Sequence, residues 1–179
     1  MTDDYAERLR QNRAEKDDFF GERPQSPIPP EKRDDFEGLS YFEPDPGYRV
    51  EATVSRHDDP DPVEMETTDG RTVRYLHVVT FAFDVDGETH ELQGYRQAGD
   101  DPEGYFIPFR DKTTGQQTYK QGRYMELETD EELADGDDAV LDFNLAYAPF
   151  CAYSDTFSCP LPPEVNWLDV AIEAGERSD

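Results

Sequence analysis

The sequence predicts a mainly β protein: an antiparallel β-sandwich or small barrel preceded by an N-terminal α-helix and an extended proline-rich arm. Three observations carry that class. From Tyr48 onward apolar residues recur with a period of two. Turn signals separate the resulting short runs at regular intervals. The one helical pattern lies ahead of all of them, at residues 2–20.

Taken in order, residues 2–20 read as a helix that Thr2 can cap, with acids in its first turn. Its apolar stripe of Tyr5, Leu9, Phe19 and Phe20 is thin, so it must lean on other elements. Gly21 offers a stop, and RPQSPIPPEKRDDF holds too much proline for helix or central strand. Phe36, Leu39, Tyr41 and Phe42 are expected to anchor the far end of this arm. Residues 1–40 are thus expected to be helix and arm, and 41–179 a single all-β domain.

Tyr48, Val50, Ala52 and Val54 then alternate with polar residues as a half-buried strand, which HDDPDP is expected to break. Asp69-Gly70 suggests a tight hairpin turn, but a two-residue loop mismatches the faces, so a loop one residue longer, or a bulge, is expected. The next hairpin turns at Asp86-Gly87, pairing Phe83 with His90 and Phe81 with Leu92 on one face. Thr80 then meets Gln93 on the other. Extended further, that register sets His77 opposite Arg96. Strands are also expected at 104–109, 123–127 and 139–147, with a last one through Leu168, Val170 and Ile172.

Composition limits what the protein can be. Apolar residues make up 35% of the 179, yet eleven Phe and ten Tyr still supply a core. Asp plus Glu total 43 against 17 Lys plus Arg, giving a net charge of −26. The acids are dispersed, and only Lys16, Lys32, Lys112 and Lys120 are lysines, which reads as adaptation to high salt, where screening removes self-repulsion. Nucleic-acid binding is not expected of such a surface. No stretch approaches the roughly 20 apolar residues of a membrane helix, and the N-terminus lacks a secretory core. A cytoplasmic location is therefore expected, with Cys151 and Cys159 as thiols.

Chemistry-bearing motifs are scarce. The chain has no GxSxG, no phosphate-cradling GxxxxGK[ST], no HExxH and no GxGxxG after a strand. The two cysteines and three histidines match no zinc spacing, so no metal and no cofactor is expected. Two segments gather polar groups. In FIPFRDKTTGQQTYKQGRY, Arg110 and Asp111 end one strand while Tyr119, Arg123 and Tyr124 begin the next. Guanidinium groups grip anions and phenols wall planar ligands, although an ion pair tying down the turn explains the same residues. In LDFNLAYAPF, Asp142 and Asn144 lie opposite Leu141, Phe143, Leu145 and Tyr147. They can orient a substrate or peg the loop that follows. His77 reads as a core histidine or as a base, with Arg96 lowering its pKa.

FIPFRDKTTGQQTYKQGRYMEL, LDFNLAYAPFCAYSDTFSCPLPPEVNWLDVAIEAGE and the N-terminal EKDDFFGERPQSPIPPEKRDDFEGLSYFEPDPGYRVEA resemble the domain of unknown function 1684 family of bacterial and archaeal proteins. The resemblance implies that Arg110/Asp111, Arg123/Tyr124, Asp142/Asn144 and Cys151/Cys159 belong to the family pattern. It brings no activity, catalytic residue or cofactor. One position departs: the family often has Asn where this chain has Ala148.

The leading expectation is a binding module for a small anionic or planar ligand, with Arg110, Asp111, Tyr119, Arg123, Tyr124, Asp142, Asn144 and Tyr147 around it. One alternative is a hydrolase with Asp142 or His77 as general base. Another is a protein–protein adaptor acting through the N-terminal arm. The sequence leaves oligomeric state open.

Overall fold

The computed structural model describes residues 2–22, 26, 28, 31, 38–85, 87–97, 104–128, 133–149 and 159–177. Helix α1 (Thr2–Glu22) precedes strands β1 (Ser40–Tyr41), β2 (Arg49–Glu66), β3 (Thr72–Val85), β4 (Glu88–Arg96), β5 (Gly104–Phe109), β6 (Arg123–Glu128), β7 (Asp138–Asp142) and β8 (Glu176–Arg177). Six antiparallel strands, in the order β6-β5-β4-β3-β2-β7, form a sheet that curls into a half-barrel. β1 pairs with β8 as a second, two-stranded sheet. This is the mainly β class the alternation predicts.

One face of the large sheet carries the core. Val54, Phe81, Leu92, Ile107, Phe109 and Met125 project from it and are buried. Phe143, Ile172 and Ala174, from the C-terminal part of the chain, close over them. Burial of this area is the main stabilising term, roughly 25 cal/mol per Å² of apolar surface.

The helix is tied to the sheets at several points. Tyr5 donates to Asp142, Arg13 to the carbonyl of Phe42 and Lys16 to Glu176. Asp17 accepts from the amide of Leu39. The helix runs past Gly21 to Glu22, and of the expected arm anchors Phe42 is buried, Leu39 and Tyr41 are half-buried, and Phe36 lies outside the described residues.

Several local readings are corrected. HDDPDP does not break the strand, because β2 runs through it with a register shift between Arg56 and Asp61. Prolines are tolerated where the ladder is already interrupted. At Asp69-Gly70 the loop is one residue longer than two, as the face mismatch requires: Thr67 donates to Arg71 O at 2.8 Å, and Gly70 takes φ +86°. The β3–β4 hairpin keeps the predicted pairs from Phe83/His90 to Thr80/Gln93. A bulge at Val78 then shifts the register, so His77 faces Tyr95 and Arg96 faces Leu76. The turn residue Asp86 lies outside the described residues.

The expected strand 139–147 stops at Asp142, whose carboxylate accepts from the Asn144 amide and caps a 3-10 turn over Phe143–Leu145. The predicted last strand is absent, although its backbone is held. Leu168 donates to Arg110 O at 2.7 Å, and Lys112 donates to Val170 O at 3.1 Å. Asp111 then captures the amide of Ile172 at 2.6 Å, and a side chain replaces the ladder there.

Candidate functional site

The polar groups predicted around the β5–β6 hairpin separate onto the two faces of the sheet. Arg123 begins β6 on the core face and is 1% exposed. Its guanidinium donates to the carbonyls of Ile172 (2.9 Å), Ala174 and Glu176 (3.3 Å), clasping the C-terminal segment. Asp111 lies 3.5 Å away as its counter-ion, with both side chains sealed from solvent. Asp111 also accepts from the hydroxyls of Thr113 and Thr114 and from the Ile172 amide. Burial pushes the pKa of Arg123 down and the charge of Asp111 opposes that shift. Every ligand-binding atom of Asp111 is taken by the protein, so this pair orders the fold.

Gly175 permits the clasp. It takes φ +85°, and a Cβ there would meet the carbonyl oxygens of Ala146 at 2.7 Å and Phe143 at 2.8 Å. Beyond it, the buried carboxylate of Glu176 accepts from Lys16 at 3.2 Å and from the amide of Ala148 at 2.8 Å.

Asp142 and Asn144 are likewise committed. The Asn144 amide group accepts from the Asp45 N–H at 3.0 Å and donates to the Asp45 carbonyl at 2.8 Å. Asp142 holds Asn144, Tyr5 and, at 3.6 Å, Arg49. They peg α1 and the turn at Pro46–Tyr48; residues 150–158 of the loop they were expected to peg lie outside the described residues. Tyr119 is half-buried in the β5–β6 loop, its carbonyl accepting from Gly122 at 3.0 Å.

The opposite face of the sheet holds a cavity of about 410 Å³. Its walls are aromatic. Tyr75 stacks on Phe106 with centroids 5.4 Å apart, Phe106 meets Tyr124 edge-on at 4.8 Å, and Tyr124 meets Tyr147 edge-on at 5.9 Å. Tyr95 packs against Tyr75 at 6.4 Å. Two hydroxyls are occupied: Tyr124 donates to the Pro160 carbonyl and Tyr147 to Glu126 at 2.8 Å. Burial raises the pKa of both phenols. Tyr95 differs from them. It is 2% exposed, burial pushes its pKa up to about 12, and its hydroxyl makes no hydrogen bond to the described residues. The hydroxyl is open to the cavity and not sealed in the protein, so a ligand there can take its hydrogen bond.

Of the predicted site residues, the cavity gathers Tyr124 and Tyr147 and leaves out the rest. Tyr75, Tyr95, Phe106 and Glu126 were missed. The signal was present: on the hairpin register Tyr95 falls on the face of Gln93, where polar residues are expected, and Phe106 is its neighbour in β5.

Arg110 lies in a second cavity of about 450 Å³, with its guanidinium 4.7 Å over the half-exposed ring of Trp167 and Glu64, Glu66 and Glu164 around it. His77 lines neither cavity. Its Nε2 is 2.7 Å from Gln93 Oε1, and its ring lies 4.3 Å from that of His57. Its pKa is lowered chiefly by burial; the Gln93 hydrogen bond opposes that shift and His57 adds to it.

Residues 34–177 match the family model described as protein of unknown function (DUF1684). The chain belongs to that family. The family match leaves all of α1 outside it, although a solved relative spans that too. The solution NMR structure of an uncharacterised protein from Haloarcula marismortui is 66% identical, with a TM-score of 0.79 over 99% of this chain and 96% of that one. No curated protein matches. The family therefore gives this cavity a fold but no assigned ligand.

Two further expectations meet the structure. Cys159 is disulfide-bonded, which corrects the thiol expected there; the chain's other cysteine, Cys151, lies outside the described residues. No helix among the described residues is long and apolar enough to cross a membrane.

Proposed function

We propose that this member of the DUF1684 family is a small-molecule binding module whose ligand lies in the aromatic cavity, an apolar or planar face against the rings of Phe106, Tyr124 and Tyr147. One observation carries the reading: on the wall of a 410 Å³ cavity otherwise built of aromatic rings, Tyr95 presents a hydroxyl that bonds to none of the described residues. A cavity of that size, mostly apolar with a few polar groups, fits small-ligand sites in general. The anionic option loses its support, since Arg123 is committed to the core and Arg110 stands over Trp167. The hydrolase alternative needs a base facing a cavity, and neither Asp142 nor His77 lines either of the two described above.

The dispersed carboxylates support adaptation to high salt, hence a salt-rich cytosol and no nucleic-acid partner. The disulfide at Cys159 is the feature that favours an oxidising compartment instead.

The test is a thermal-shift screen at molar KCl with planar heterocycles. A ligand at about 100 times its Kd adds roughly 2.7 kcal/mol to the folded state. Stabilisation by one chemical class, lost in Tyr95→Phe, supports the reading. A flat screen against a folded protein removes it.

A further inference from the structure

The shape of the cavity and its charges narrow the ligand. The Phe106 and Tyr124 rings meet at 79° and the Tyr124 and Tyr147 rings at 88°. Adjacent walls near right angles make a box, which suits a rounded group better than a flat plate. The hydroxyls of Tyr124 and Tyr147 are turned to Pro160 and Glu126, which leaves mainly ring faces and edges toward the space.

The charges have one sign. Glu126 is the only charged side chain lining the cavity among the described residues. The nearest cations serve other partners. Arg96 lies 4.8 Å over the ring of Tyr105 and donates to the Gly104 carbonyl. Lys16 lies 4.9 Å over the ring of Tyr147 but is held by Glu176. Negative ring faces beside a carboxylate attract a positive nitrogen, and aromatic boxes are how substituted ammonium groups are recognised in general. At molar salt the screening length is roughly 3 Å, so the chain's net charge of −26 guides nothing from a distance. Only groups in contact can choose the ligand there.

We infer that the ligand carries a substituted ammonium group, held in the box formed by Tyr75, Tyr95, Phe106, Tyr124 and Tyr147, with Glu126 as its counter-charge. The inference rests on the binding-module reading and adds the ligand's chemical class. Tyr95 supplies the hydrogen bond to a polar atom elsewhere on the same molecule.

The experiment is an NMR titration of the full chain in molar KCl with choline, with dimethylbutanol as its uncharged carbon isostere, and with quinoline as a neutral planar probe. Choline is expected to bind roughly tenfold or more tightly than dimethylbutanol, the range of a desolvated cation–π contact. Glu126→Gln keeps an acceptor for Tyr147 and should leave thermal stability unchanged while removing most of that preference. Phe106→Leu should weaken choline as well. Equal binding of choline and dimethylbutanol, or binding of quinoline alone, overturns the ammonium assignment and leaves the binding module standing. Binding of none of the three by a folded protein overturns both.

Discussion

Arg123 and Tyr95 are both buried polar groups on the same six-stranded sheet, and they differ in what their polar atoms meet. Arg123, on the core face, gives its two terminal nitrogens to three carbonyls and its charge to Asp111, with only its Nε left unpaired. Tyr95, on the opposite face, gives its hydroxyl to none of the described residues and keeps it open to the cavity. Polar residues clustered in a sequence are therefore weak markers of a site, because the fold itself consumes most of them. A hydroxyl left open on a cavity wall is the sharper marker, since a ligand there can take the hydrogen bond that the fold leaves unmade.

The largest effect that tests this contrast comes from Arg123. Arg123→Ala strands the carboxylate of Asp111 inside the core and frees the C-terminal segment, and removing one partner of a buried pair costs about 3–5 kcal/mol. The denaturant midpoint in molar KCl should fall accordingly. A loss below about 1 kcal/mol would show that the clasp does not hold the fold. Next comes Asn144→Ala, which removes both bonds to Asp45 and one to Asp142. A loss of about 1–3 kcal/mol is expected, with ligand binding intact in whatever fraction remains folded.

Tyr95→Phe should move the opposite quantity. Removing an unpaired hydroxyl leaves every other contact in place, so stability should stay within about 0.5 kcal/mol or rise. Affinity should fall by about a factor of ten, the value of one hydrogen bond made only with the ligand. If stability drops while affinity holds, Tyr95 is a structural residue and the contrast with Arg123 collapses.

The contrast also explains what the sequence reveals and what it hides. Alternation exposes the sheet: the pairs Phe83/His90, Phe81/Leu92 and Thr80/Gln93 follow from period two and one turn. It fails where geometry departs from period two. Leu141, Phe143, Leu145 and Tyr147 alternate like a strand, yet Asp142 caps a 3-10 turn, and Leu145 emerges 51% exposed. The bulge at Val78 has no sequence signal, so the one-residue shift that moves His77 from Arg96 to Tyr95 is invisible beforehand. Tyr124 and Tyr147 were legible as site residues because they stand in polar-rich segments. Tyr75, Tyr95 and Phe106 were not, because an aromatic on a strand reads as core until its face is known. Arg123 and Asp111 were legible as a pair of opposite charges near one turn. Their burial was not, since it depends on residues 172–176 folding back over them from some fifty positions away.

His77 gives the smallest and most local test, at the border between the two kinds of region. It sits behind Tyr95, with ring centroids 5.5 Å apart, and burial lowers its pKa from the usual 6.5. A base whose folded pKa lies below its unfolded value binds its proton more readily in the unfolded chain. Its contribution to stability is therefore complete above pH 6.5 and declines as pH falls from there toward the lowered folded value. Between pH 6.5 and about 5 most carboxylates remain ionised, so the window belongs to histidine. The denaturant midpoint should fall with acidification across that window, and His77→Gln should flatten the slope. An unchanged slope in the variant would mean that His77 titrates alike in both states and that burial behind Tyr95 is incomplete. A slope that flattens only when the cavity is filled would instead place His77 within reach of the ligand's field, which would carry the site from Tyr95 on β4 across to its partner on β3.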